Sequence, residues 1–117
     1  MKNTIFLIII AVILAGCNTT TNTEQIITYA QNQCEQEPWN QWYQEGNIQF
    51  IKEPSQEELI ETYYGQEYDI QITNIKRVTK NETVCQACNI CPKSYYFVVD
   101  VSTDNLEEIQ TLGWNVN

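Results

Sequence analysis

Four cysteines hold most of the chemistry legible in this chain. Three stand in Cys85-Gln-Ala-Cys88-Asn-Ile-Cys91-Pro92, and the fourth, Cys34, is alone far upstream. That arrangement admits three chemistries. Paired as disulfides, an even set of four would staple a small domain in an oxidising compartment. One bridge would then tie Cys34 to the loop, closing roughly 50 residues and stabilising by about 3–4 kcal/mol in the loop-entropy description. Of the three connectivities, the spacing favours Cys85–Cys91 across the base of a hairpin, with Cys88 at its tip reaching Cys34. Held reduced, the same four sulfurs would make a thiolate site for a metal, zinc before iron–sulfur. The third chemistry is a redox-active C-x-x-C, but Gln86-Ala87 and Asn89-Ile90 supply neither a helix N-terminus nor a base to lower a thiol pKa.

The compartment is read from the beginning of the chain. Lys2 precedes an apolar run from Ile5 to Ala15, and the run closes on Leu14-Ala15-Gly16-Cys17. As a helix, residues 5–16 would cover only about 18 Å of a bilayer core of roughly 30 Å, too little to span it. The pattern is a short secretory signal, and Leu-Ala-Gly-Cys resembles the lipobox of prokaryotic lipoproteins. The resemblance covers residues 1–17 alone. It implies removal of residues 1–16 and diacylglycerol on the Cys17 thiol, with further acyl chains of the palmitate type. The protein would then sit on the outer face of the cell membrane, or on the periplasmic side where an outer membrane exists. Residues 17–23, the lipidated cysteine followed by Asn18-Thr19-Thr20-Thr21-Asn22-Thr23, read as a polar tether of about 20 Å.

The cysteine segment is also similar to part of a bacterial-type ferredoxin motif. The fourth cysteine of that motif is missing, however, because Tyr95 stands in its place and Cys34 would have to substitute. Export speaks against an assembled cluster, which leaves zinc as the metal alternative. Otherwise no cofactor is expected.

Composition excludes several functions. The 117-residue chain has a formal net charge of −9, and removing residues 1–16 takes away one base and no acid. Such a surface disfavours nucleic acid and anionic headgroups, both of which call for Lys/Arg patches. The chain has no histidine, the usual general base and proton shuttle. Its serines, Ser55, Ser94 and Ser102, lie in no nucleophile-elbow setting, and four glycines make no phosphate-cradling loop. Nothing favours an enzyme. Trp39, Trp42 and Tyr43, at helical spacing, offer aromatic platforms for a ligand or else helix packing. Asn18 and Asn81 match the glycosylation sequon.

The elements that must position these residues form one domain over residues 24–117, about the size a single core supports. A stripe of Ile26, Ile27, Tyr29, Ala30 and Cys34 predicts a first helix over 24–34. Pro38 opens a second, short helix that Gly46 ends, and residues 48–51 read as a strand. Ser55 and Glu58 form a capping box for a helix stopping at Gly65. Tyr68, Ile70 and Ile72 alternate as a strand, with a bulge near Asn74 before Val78. Residues 94–102, apolar on both faces, read as the central strand. A final helix begins at Asp104, with Leu106, Ile109 and Leu112 inward and Gly113 as its stop.

The predicted order is α-α-β-α-β-β-α, an α+β fold with a small, mainly antiparallel sheet of about three strands and helices on one face. If the strands at 48 and 73 are neighbours, their crossover makes them parallel. The functional expectation is a lipid-anchored binding or structural module stabilised by disulfides, facing a surface protein or envelope component. The alternative is a four-cysteine metal or thiol redox protein.

Overall fold

The computed structural model describes residues 24–81 and 85–116. The signal, Cys17 and Asn18 lie outside them. The order is β1 (Glu24–Tyr29), α1 (Pro38–Gln44), α2 (Gln56–Tyr68), β2 (Ile72–Thr79), β3 (Tyr95–Ser102), α3 (Leu106–Thr111) and β4 (Asn115–Val116), with a 3-10 turn at Thr103–Asn105 before α3. The fold is α+β, and the sheet has four strands in the order β2-β3-β1-β4, all pairs antiparallel.

The predicted first helix is a strand. In β1, Ile27 and Tyr29 are buried while Ile26 is 58 % exposed, a period of two rather than 3.6. Ile-Ile-Thr-Tyr is also β-branched and aromatic, the composition that strands favour. Its partner is β3, with Ile27 opposite Val99 and Tyr29 opposite Phe97. β3 is thus the central strand that its two apolar faces predicted, lying between β2 and β1.

Residues 48–51 form no strand. Phe50 packs at the edge of the core against Tyr43, 5.8 Å between ring centroids, and Ile51 is fully exposed. The parallel crossover expected from that strand therefore does not exist.

The capping box is present: the Ser55 hydroxyl accepts from the Glu58 amide, and Glu58 returns the bond to the Ser55 amide. Helix α2 runs past Gly65, which costs about 1 kcal/mol relative to alanine inside a helix but does not by itself end one. It ends at Asp69, in the left-handed conformation with φ 55°. Tyr68 therefore belongs to the helix, and β2 starts later than expected, at Ile72. The bulge is where the sequence placed it: the β2–β3 register shifts between Thr73 and Lys76, and Asn74 has φ 50°. At the far end, Gly113 takes φ 99°, a turn that returns Trp114 to the core.

The helices cover one face of the sheet. Ile27, Tyr29, Phe97, Val99 and Val101 meet Trp39, Leu59, Ile60, Tyr64, Ile109 and Trp114 in one core. The opposite face carries Ile26, Thr28, Tyr96 and Val98 and is only half-buried.

Candidate functional site: the bridged loop and the buried carboxylate beneath it

The hairpin between β2 and β3 ends in the cysteine loop, and residues 31–34, leaving β1, run beside it. The strand pairing continues past the strands themselves. Lys93 N donates to Gln31 O at 2.9 Å, Gln33 N to Cys91 O at 2.9 Å, and Cys34 N to Cys88 O at 3.2 Å. Asn32 bridges to Pro92, and its side-chain amide reaches Asn89 O at 3.1 Å. The Gln33 amide donates to the Cys85 carbonyl.

This antiparallel track brings the sulfurs together. Cys34 is bonded to Cys88 with 4.8 Å between Cα atoms, and Cys85 to Cys91 with 5.5 Å. Cys91 is buried at 3 % exposure, whereas Cys34, Cys85 and Cys88 are exposed. Between the bridges Cys91 N donates to Ala87 O at 2.8 Å, closing a tight turn. The loop therefore presents Gln86, Ala87, Asn89 and Ile90 on a doubly cross-linked frame, and Ile90 is 81 % exposed. With all four sulfurs bonded in pairs, a thiolate site would first require their reduction.

Beneath the loop lies a group that sequence reasoning missed. Glu37, the residue before α1, is 7 % exposed. Lys93 donates to its Oε1 at 2.8 Å, the Tyr95 hydroxyl at 2.7 Å, and the Asn40 amide reaches Oε2 at 3.0 Å. Burial works against the carboxylate, but these hydrogen bonds outweigh it and hold the Glu37 carboxyl below its ordinary range. The same burial, with Glu37 as neighbour, pushes the Tyr29 and Tyr95 phenols up to about 12 each. The Arg77 guanidinium lies 3.9 Å from the centre of the Tyr95 ring.

Chemically the cluster is a clasp, because its charges are spent on each other. It joins the start of α1 to the foot of the loop across 56 residues. No local pattern pairs Glu37 with Lys93. The available hint was an acidic residue placed directly before Pro38 and a tryptophan-bearing helix. A shallow hollow of about 360 Å³ beside the clasp is lined by Gln33, Lys93, Ser94 and Tyr95.

The tryptophans are placed elsewhere. Trp39 is fully buried, its ring 5.5 Å from Phe97 and 5.1 Å from Tyr29, and its indole N–H donates to Gln56. Trp42 is 6 % exposed and donates to Glu67 at 2.8 Å. Tyr43 rests half-buried on Phe50. All three are engaged in packing, and none stands with the loop. Asn81 is exposed just past β2.

No family model matches the chain, and neither a curated protein nor a solved structure shows significant similarity to it.

Proposed function

We propose that this chain is a lipid-anchored binding domain of the cell envelope, held at the membrane by acylated Cys17 and contacting its partner through the cysteine loop. The observation that carries the reading is the loop itself. Two disulfides and a backbone track freeze a short segment whose outward residues do nothing for the core. Freezing a contact segment before it meets a partner lowers the entropy lost on binding. Cross-links of this kind persist in oxidising compartments, in keeping with an exported protein.

Chain direction supports the same reading. The tether would join at Glu24, which pairs with Ser102 at one end of the sheet, while Cys34 and the loop lie beyond Tyr29 at the other. Six residues of β1 at about 3.3 Å each set the loop roughly 20 Å or more from the tether end. Anchored at Cys17, the domain would hold its loop away from the lipid. The net acidic charge adds repulsion from an anionic surface.

Three measurements test this. Expressed in a prokaryotic cell, the chain should partition with membranes into detergent, and Cys17→Ser should release it. Equal membrane retention of the variant would refute the anchor. The intact mass of the processed protein, with and without alkylation in the absence of reductant, separates two disulfides from the alternative. A zinc protein would yield four thiols that react once a chelator is added. Loss of partner capture by Ile90→Asp, without loss of folding, would locate the contact on the loop.

A further inference from the structure

Strand β2 is an edge of the sheet: β3 pairs with one side of it, and no described residue pairs with the other. Beyond the bulge, Lys76, Arg77, Val78 and Thr79 run in unbroken register with β3, and Lys80 N adds one further bond to Ser94 O at 2.7 Å. This stretch is also where the basic residues gather. The whole chain has six Lys and Arg against fifteen acids, and three of the six are Lys76, Arg77 and Lys80. Among the described residues the only ion pair is Lys93–Glu37, so these three have no carboxylate within bridging distance there. A third feature adjoins them. Val78, Thr79, Lys80, Asn81 and Tyr96 line a hollow of about 500 Å³ along the edge, with Val78 directly opposite Tyr96.

We infer that the Lys76–Lys80 edge of β2 receives an extended acidic peptide from a partner protein, added to the sheet as a fifth strand. This rests on the reading of the domain as a binding module and gives that module a second contact, with a stated chemistry. The occupant follows from excluding the others. A second copy pairing β2 against β2 would set Lys76, Arg77 and Lys80 against their own counterparts, and like charges facing across a ladder are destabilising. An anionic polymer without peptide groups would meet the charges but leave the row of backbone donors and acceptors unused. A neutral strand would make the backbone bonds and leave the charges unmatched. An acidic strand uses both. Lys76, Val78 and Lys80 share one face of β2. Two carboxylates flanking one apolar side chain, at every second position, would meet the lysines while that side chain covers Val78 and Tyr96. The bulge at Asn74 limits the added strand to about five residues.

The test uses the whole chain, oxidised and in mild detergent, with a labelled ten-residue peptide centred on Glu-Thr-Val-Thr-Glu, which sets two Glu and one Val on one face, followed by fluorescence anisotropy. Binding should be saturable and weaken with salt. Reversing charge with Lys76→Glu and Lys80→Glu together should weaken it about tenfold, a sum of exposed pairs, with the melting temperature little changed. N-methylation of every peptide bond in the central five residues of the probe should weaken it at least as much, since it removes the donors from both edges of the added strand. Amide exchange in residues 76–80 should slow when the unmethylated peptide is present. No binding, or binding indifferent to methylation, would overturn the proposal, the latter because charge attraction alone would explain it. So would charge-dependent binding to vesicles of anionic lipid with none to the peptide. Peptide binding lost on Ile90→Asp and kept after charge reversal would overturn the edge site, yet leave the binding-module reading standing on the loop.

Discussion

The two disulfides should differ in what they contribute, and the difference can be worked from their positions. Cys34 and Cys88 are 54 residues apart, Cys85 and Cys91 only 6. In the loop-entropy description the longer closure restrains the unfolded chain by about 4 kcal/mol and the shorter by about 2 kcal/mol. For a domain of this size each kcal/mol moves the melting temperature by about 4–8 °C. Cys34→Ala with Cys88→Ala should therefore lower it by roughly 15–30 °C. Cys85→Ala with Cys91→Ala should lower it by about half as much. Cys91 is buried, so its truncation adds a packing loss of about 1 kcal/mol, which narrows the gap without reversing it. The assay is thermal unfolding of each double variant by circular dichroism, under non-reducing conditions, with the remaining bridge checked by mass. If removing the short bridge cost as much as removing the long one, chain entropy would not be the mechanism. The 31–34 track would then have to order the loop in the unfolded state as well.

Four further outcomes are expected. Glu37→Gln strands the Lys93 ammonium in a buried site and should cost about 3 kcal/mol, measured by urea unfolding at neutral pH. Because the folded Glu37 carboxyl titrates below its unfolded value, its contribution is complete above the ordinary carboxylate range and is lost as pH falls through the folded pKa. The parent should thus lose more stability than Glu37→Gln on acidification below about pH 5. Tyr29 and Tyr95 hold their protons to about 12, above the unfolded value near 10. Their contribution is full below pH 10 and disappears as pH rises toward 12, so ultraviolet titration should show a late phenol fraction that joins the early one in urea. Ser55→Ala removes the side-chain cap of α2 and should cost about 1 kcal/mol by the same urea assay, whereas Ser55→Asp should restore it.

What the sequence settled by itself was local. Ser55 and Glu58 announced the start of α2, because a capping box closes within four residues and needs no partner elsewhere. The phase break at Asn74 marked the bulge, and Tyr95 to Ser102, apolar on both faces, identified the strand with neighbours on each side. The preferred cysteine pairing followed from the hairpin between two long strands, and it is the pairing present.

What the sequence left open was settled over distance. Residues 24–29 hold too few apolar positions to tell a helical stripe from an alternating one. Their conformation came from β3, about 70 residues away, which offers Phe97 and Val99 as partners for Tyr29 and Ile27. Residues 48–51 had strand composition but pair with no described strand, and their backbone is irregular while Phe50 packs at the edge of the core. Helix α2 could pass Gly65 because Tyr64, below it, is held by the Trp114 indole 50 residues on. Glu37 became a buried charge only because β3 delivers Lys93 and Tyr95 to it, across 56 and 58 residues. A carboxylate in that position is tolerated when its donors are already in place, and only the assembled tertiary structure puts them there.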